Sequence, residues 1–125
     1  MSKIKGTSTH YENRQHLRSE CIEVYAASLI GGQWTLHIWF YLITGKKRFG
    51  ELKKDLPNIT ERMLTLHLRK MEKNNLVKRT VYPEVPLRVE YELTKSGKAL
   101  KPLFKHLAKW GEQHKKFEDT LTSKA

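Results

Sequence analysis

Cysteine is almost absent from this chain of 125 residues, in which Cys21 is the single thiol. One cysteine excludes a disulfide within the chain and a zinc site built on several thiolates. No apolar run approaches the roughly 20 residues that a membrane-spanning helix needs, and residues 1–15 lack the apolar core of a secretory signal. We therefore expect a cytoplasmic protein without disulfides or membrane-spanning helices.

Acidic residues are scarce relative to basic ones. The chain has 13 Asp and Glu against 24 Lys and Arg, which gives a formal net charge of +11 and a pI of about 9.8. Such an excess predicts polyanionic partners, with nucleic acid first and an anionic membrane surface second. The length suits one domain with a single modest core, so we expect no separate catalytic domain.

The usual signs of catalysis are missing too. The sequence has no Gly-rich phosphate loop, no nucleophile-elbow pattern and no isolated pair of carboxylates in an apolar setting. Its six histidines show no metal-site spacing beyond the loose pair His10 and His16. We expect no enzymatic activity, no cofactor and no metal site. The aromatic residues Trp34, Trp39 and Phe40 suit either core packing or a pocket for a small-molecule effector.

Apolar residues recur at helical spacing between residues 19 and 118. This pattern predicts one folded domain (19–118) between a flexible N-terminal arm (1–18) and a flexible C-terminal tail (119–125). The first helix is predicted to begin after Ser19, its N-cap, and to end at Gly31-Gly32, because paired glycines break helices.

Three further helices are predicted after this break. The first is strongly apolar and covers about 33–43. It is predicted to end at Gly45, because glycine readily adopts the left-handed conformation of a helix C-cap. A short amphipathic helix covers 49–56, and Thr60 is a good N-cap for a longer one over 61–74. The last two helices, joined by a tight turn, form a helix-turn-helix.

The apolar period then changes from 3.6 to 2. Residues 77–81 and 89–93 alternate in polarity, which predicts a two-stranded hairpin whose connection (83–87) contains two prolines and projects as a stiff loop. Thr94 is predicted to cap a final helix that ends near residue 118 and bends at Pro102. The fold class is therefore mainly α with a small β-hairpin, a winged helix-turn-helix.

The fourth predicted helix carries the strongest functional signal. Leu64, Leu68 and Met71 form one apolar row, and at about 100° per residue they leave a basic, hydrogen-bonding face opposite. Such a face fits the major groove of DNA, where Arg reads guanine and Thr reads base edges. The residues assigned to base reading are Thr60, Arg62, Thr65, Leu66 and Arg69. The alternative is a solvated charged face with no partner.

The elements on both sides of this helix are basic as well. The residues assigned to the phosphate backbone are Lys46, Lys47 and Arg48 of a predicted basic turn, Lys53 and Lys54 of the short helix, and Lys70 and Lys73. The hairpin adds Lys78 and Arg79, and its DNA contacts are assigned to Tyr82, Pro83, Pro86 and Arg88. Cations on three elements that face one duplex favour double-stranded DNA as the partner over a solvated surface.

Several separated motifs between Cys21 and Trp110 resemble the HxlR-type winged helix-turn-helix regulators, relatives of the MarR regulators. They are LIGGQWT (29–35), RFGEL (48–52), TERMLT (60–65), TVYPEVP (80–86), VEYELT (89–94) and Gly97. The resemblance implies a bacterial dimer that represses or activates nearby genes. Some proteins of this type respond to electrophiles or oxidants, so the resemblance also implies such a response as an expectation.

The C-terminal helix predicts a homodimer independently of the resemblance. A helix over 95–118 is roughly 36 Å long at 1.5 Å per residue, which exceeds so small a domain. The apolar residues assigned to the dimer interface are Leu103, Phe104, Leu107, Trp110 and Phe117. We expect them to meet a second subunit, with the first helix as the other surface, and the dimer to bind an inverted repeat.

Cys21 is the one candidate for chemistry. It is expected in the first turn of its helix, where the helix dipole favours a thiolate, so it is either a redox sensor or a packing residue. For the whole protein, the main alternative to a sequence-specific regulator is a non-specific architectural nucleic-acid-binding protein, which would have the same charge but no preferred site. A second alternative is an enzyme or small-molecule carrier on a helical scaffold.

Overall fold

The computed structural model describes residues 21–124. Along the chain its elements are α1 (Ile22–Ile30), α2 (Gln33–Leu42), β1 (Lys47–Arg48), α3 (Phe49–Asp55), α4 (Glu61–Lys73), β2 (Val77–Tyr82), β3 (Arg88–Leu93), α5 (Lys95–Lys98) and α6 (Lys101–Lys124). The three strands form one antiparallel sheet in the order β1-β3-β2. The mainly helical fold with a hairpin is confirmed. The predicted basic turn is wrong at Lys47 and Arg48, which form strand β1 and pair with Tyr91 and Glu90 of β3.

The core forms where α2, α4 and the sheet meet. Its buried apolar residues are Ile38, Trp39, Leu42, Leu52, Leu56, Ile59, Leu64, Leu68, Met71, Leu76, Val77, Leu93 and Phe104. The predicted inward row of α4 is thus confirmed. Trp39 joins two parts of this core, because its indole Nε1 donates a hydrogen bond of 2.7 Å to the Gly97 carbonyl and its ring meets Phe104 edge-on at 4.7 Å.

The helix-turn-helix consists of α3 and α4. The Arg48 backbone N–H donates to Glu51 Oε1 at 2.8 Å, which satisfies a free donor at the start of α3. Thr60 Oγ1 accepts from the Met63 N–H at 3.1 Å, so the predicted N-cap of α4 is confirmed. The turn between the helices buries Ile59, which fixes their relative position.

The hairpin is longer by one residue per strand than predicted. Its register runs from the pair Val77 and Leu93 to the pair Tyr82 and Arg88. Residues 83–87 connect the strands and are all exposed, which confirms the projecting loop. We call this hairpin with its loop the wing.

Two helix boundaries differ from the prediction. Helix α1 begins at Ile22, because Cys21 is extended (φ −152°), so the predicted start after Ser19 is wrong. Ser19 and the predicted arm (1–18) lie outside the described residues. At the other end α6 continues to Lys124 instead of ending near residue 118, so the segment predicted as a flexible tail is helical that far.

The predicted final helix is two helices. Thr94 Oγ1 accepts from the Gly97 N–H at 3.0 Å, as a cap should, but α5 ends at Lys98 and α6 begins at Lys101. Pro102 lies in the first turn of α6, where its missing N–H costs no helical hydrogen bond. An interruption before the proline therefore replaces the predicted bend.

Gly97 is the position where a side chain is least tolerable. It is buried, and a Cβ there would run into the Leu76 carbonyl, whereas a Cβ at Gly111 in α6 would meet nothing. We expect Gly97→Ala to lower the free energy of unfolding by about 1–3 kcal/mol through overpacking. Gly111→Ala should raise it by up to about 1 kcal/mol, because alanine favours a helix. Urea unfolding followed by circular dichroism measures both, and equal effects would contradict the packing described here.

Candidate nucleic-acid interface

The outer face of α4 is exposed, as its apolar row requires. Arg62 and Arg69 are exposed, Thr65 is half-buried, and Leu66 leaves 56% of its surface accessible. Together with Glu61 these side chains line a shallow groove of about 470 Å³. Within residues 21–124 no ion pair holds either guanidinium, so both are available to an outside acceptor.

Thr60, predicted to read bases, performs a structural task at the same time. Its hydroxyl oxygen accepts the Met63 N–H, which leaves the hydroxyl proton to donate outward. The residue is exposed at the N-terminus of α4, where the helix dipole is positive. It therefore suits a phosphate or a base acceptor beside this helix end.

The basic residues predicted to bind phosphates fall into two groups. Those that are exposed are Lys46, Arg48, Lys54, Lys70 and Lys73. Lys47 is half-buried, forms a 3.0 Å ion pair with Asp55 and lies 5.9 Å from the Tyr41 ring centre. The Lys53 ammonium group contacts the Pro57 carbonyl at 3.5 Å. Lys47 and Lys53 thus also hold α3 to its surroundings.

The side chain of Arg88 in the wing binds other residues of the wing. Its two terminal nitrogens each donate a 2.8 Å hydrogen bond, one to Glu84 and one to Glu90, and its guanidinium lies 3.8 Å from the Tyr82 ring centre. The bond from Arg88 lowers the pKa of Glu84, and the same bond raises the pKa of Arg88. Pro83 is exposed and Tyr82 is covered in part by the guanidinium.

The wing still presents positive charge elsewhere. Lys78 and Arg79 on β2 are exposed, and in the described part of the chain neither forms an ion pair. Pro86 is exposed at the tip, after a cis peptide bond with Val85. The exposed cations of the wing are thus on its first strand, while the arginine on its second strand fixes the loop.

His67 is a feature of α4 that the sequence did not indicate. It is half-buried, and its Nδ1 atom is buried with no hydrogen-bond partner among the described residues. Burial, followed by the charge of Lys70, lowers the pKa of His67. The imidazole is therefore neutral at neutral pH, and the positive charge of α4 comes from its arginines and lysines.

An apolar stripe runs along α6. Trp110 and Phe117 are 60% and 61% exposed, and Leu103, Leu107 and Leu121 on the same side are also exposed. Phe104, predicted for the dimer interface, is wrong there: only 4% of its surface is accessible, because it packs on Trp39 in the core. Helix α1 has no fully buried residue: Ile30 packs against the core, and Ile22 and Val24 are exposed.

Cys21 is the N-cap of α1 and not a residue of its first turn. It is half-exposed, and its Sγ atom lies 3.6 Å from Glu23 Oε1, to which the thiol donates. The thiol is thus reachable from solvent.

Among residues 21–124 no three His, Cys, Asp or Glu side chains are grouped as metal ligands. The His10 and His16 pair lies outside the described residues. In the same part of the chain, none of the helices combines the length and apolarity needed to cross a membrane.

Comparison with known proteins identifies the family. Residues 29–119 match the family model described as HxlR-like helix-turn-helix. The uncharacterized HTH-type transcriptional regulator YdeP of Bacillus subtilis is 47% identical over 93 residues, which cover 74% of this chain and 73% of that protein.

Solved structures agree with this match. The redox regulator HypR in its reduced form superposes with a TM-score of 0.70 at 41% identity, over 77% of this chain and 95% of that one. The quinone-bound YodB of Bacillus subtilis has a TM-score of 0.65 at 34% identity, over 74% and 99%. With its helix-turn-helix and wing, the chain belongs to the HxlR-like family of helix-turn-helix transcriptional regulators.

Proposed function

We propose that the protein is a homodimeric repressor, without enzymatic activity of its own, that binds an inverted repeat in double-stranded DNA and responds to an electrophile or oxidant. The observation that carries this proposal is the outer face of α4. Its 13 residues make a rod of roughly 20 Å that buries one edge and exposes Arg62 and Arg69 on the other. A helix of this width and chemistry fits the major groove.

The neighbouring cations support this orientation. Lys46, Arg48 and Lys54 lie around the start and body of α3, where the first helix of such a motif meets the phosphate backbone. Lys78 and Arg79 are on the wing, beyond the other end of the motif. Contacts with phosphates fix position and orientation, while contacts from α4 discriminate between sequences.

A non-specific nucleic-acid-binding protein is the competing function. It would share the charge and the strong dependence of affinity on salt. A specific regulator binds its cognate site roughly a thousandfold or more tightly than random DNA. Footprinting on the DNA upstream of the protein's own gene identifies the cognate site needed for this comparison.

The double variant Arg62→Ala and Arg69→Ala tests the reading helix. We expect its affinity for the cognate site to fall roughly 100-fold, because a good arginine–base pair contributes about 1–3 kcal/mol of discrimination. Competition binding against random DNA at one fixed salt concentration measures the change.

The matched control for this test is Lys115→Ala with Lys116→Ala, which removes the same charge from exposed positions on α6. The control should keep the preference for the cognate site. If the arginine variant retains that preference undiminished, α4 is not the reading helix.

The dimer is supported by exposed apolar side chains on two helices. Leu103, Leu107, Trp110, Phe117 and Leu121 on α6, with Ile22 and Val24 on α1, face water in one subunit. Exposed apolar surface of this kind marks an interface in a soluble protein. A two-fold pair of subunits covers both helices at once and places two copies of α4 on one side, as an inverted repeat requires.

Replacing Trp110 and Phe117 by Glu tests the dimer. We expect the variant to sediment as a monomer at micromolar concentration, because four buried charges at a two-fold interface have no counterions. Replacing Lys109 and Lys116 by Glu is the control, since these residues lie on the other side of α6 and should leave the dimer intact. A wild-type monomer at this concentration would refute the dimer.

Cys21 is the proposed sensor. Its thiol is half-exposed at the start of a helix that we place in the dimer interface, so a group added to sulfur would disturb the pairing of subunits. A thiolate adds to a quinone by forming a carbon–sulfur bond, and the product is a hydroquinone thioether. Two similar proteins, the redox regulator HypR and the quinone-bound YodB, support this class of signal.

The variant Cys21→Ser tests the sensor. Treatment with benzoquinone should release wild-type protein from its operator and add one adduct by intact mass. The variant should bind DNA as tightly as untreated wild type and stay bound after treatment, because a hydroxyl is a poor nucleophile at neutral pH. Release of the serine variant by benzoquinone would eliminate Cys21 as the sensor.

A further inference from the structure

A cleft of about 360 Å³ lies between the second half of α2 and the start of α6. Its apolar wall consists of Trp39, Phe40, Ile43 and Phe104, and the exposed residues Lys101 and Lys105 also line it. Neither lysine forms an ion pair with another residue of the described range 21–124. This cleft takes no part in the DNA contacts proposed above.

We propose that this cleft binds a small aromatic carboxylate. Its volume lies at the small end of the range for ligand sites, which are concave, mainly apolar and supplied with a few convergent polar groups. Aromatic side chains form its wall and offer edge and face contacts to a flat ring. The two lysines are one helical turn apart, so both ammonium groups can meet one carboxylate at the mouth.

Core packing explains only part of this aromatic group. Trp39 and Phe104 are buried and contact each other, but Phe40 is 52% exposed and meets Trp39 edge-on at 5.5 Å. Phe40 is therefore an aromatic wall that residues 21–124 leave half exposed. A ring seated against it would remove this surface from water, which favours binding.

A second subunit on the α6 stripe would leave the cleft open. At about 100° per residue, the direction of the stripe that includes Leu103 and Trp110 is roughly 170° from that of the cleft residues Lys101, Lys105 and Ala108. An apolar helix of a second subunit would also offer no negative charge to pair with Lys101 and Lys105. The charge of the two lysines favours a small acid as the occupant.

Calorimetric titration of the full-length protein tests the cleft. The probes are benzoate, 2-naphthoate and indole-3-acetate, each paired with its neutral amide. We expect at least one acid to bind about tenfold more tightly than its amide. Lys101→Gln with Lys105→Gln should weaken that acid about tenfold and change the amide little. Lys115→Gln with Lys116→Gln, an equal loss of charge away from the cleft, should leave both affinities unchanged.

A steric variant makes the result independent of charge. Ala108 lines the cleft and is exposed on α6, so Ala108→Leu fills the space without disturbing the core. It should abolish binding of acid and amide alike, at an unchanged melting temperature. The proposal is overturned if no acid binds at millimolar concentration, if acid and amide bind equally, or if the Lys115 and Lys116 control weakens the acid as much as the cleft variant.

Discussion

Burial of one edge of α4 is the constraint on which the rest of the molecule depends. Leu64, Leu68 and Met71 are almost completely inaccessible, and each buried side chain of this size contributes about 1.5–3 kcal/mol. An exposed ion pair contributes about 1 kcal/mol or less, so the apolar row, and not the charges, sets the rotation of the helix. Arg62 and Arg69 face outward as a consequence of this packing.

The sequence was sufficient for features that depend on local periodicity and capping. The inward row of α4, the Thr60 and Thr94 caps and the exposed loop of the wing are confirmed, because each follows from spacing or from backbone chemistry within a few residues. Family membership was predictable from several ordered motifs and is confirmed by the match over residues 29–119.

The errors arose where a residue's role depends on a distant partner. Strand β1 is only two residues long and depends on pairing with β3, which is about 40 residues away in the chain. No local sequence pattern therefore indicates it. Phe104 was assigned to the α6 stripe from its spacing in the sequence, but in the fold it is buried against Trp39 in the core. The sequence presents Lys47 as a free cation, but in the fold its ammonium group forms an ion pair with Asp55. The assigned DNA contacts themselves remain predictions.

Arg88 is a basic residue whose charge is already paired within the protein, so the number of basic residues exceeds the number of free cations on this surface. Arg88 gives two of the five N–H donors of its guanidinium to Glu84 and Glu90, and the face of the group covers Tyr82, so fewer donors remain for an outside acceptor than its charge suggests. Removing Arg88 would leave both carboxylates without this partner. Its contribution is to hold the loop and to keep those carboxylates neutralised. Lys78 and Arg79 on the opposite strand are exposed, and neither forms an ion pair among the described residues. The wing thus divides two tasks between its strands: Arg88 fixes the shape of the loop, and Lys78 and Arg79 keep their positive charge exposed.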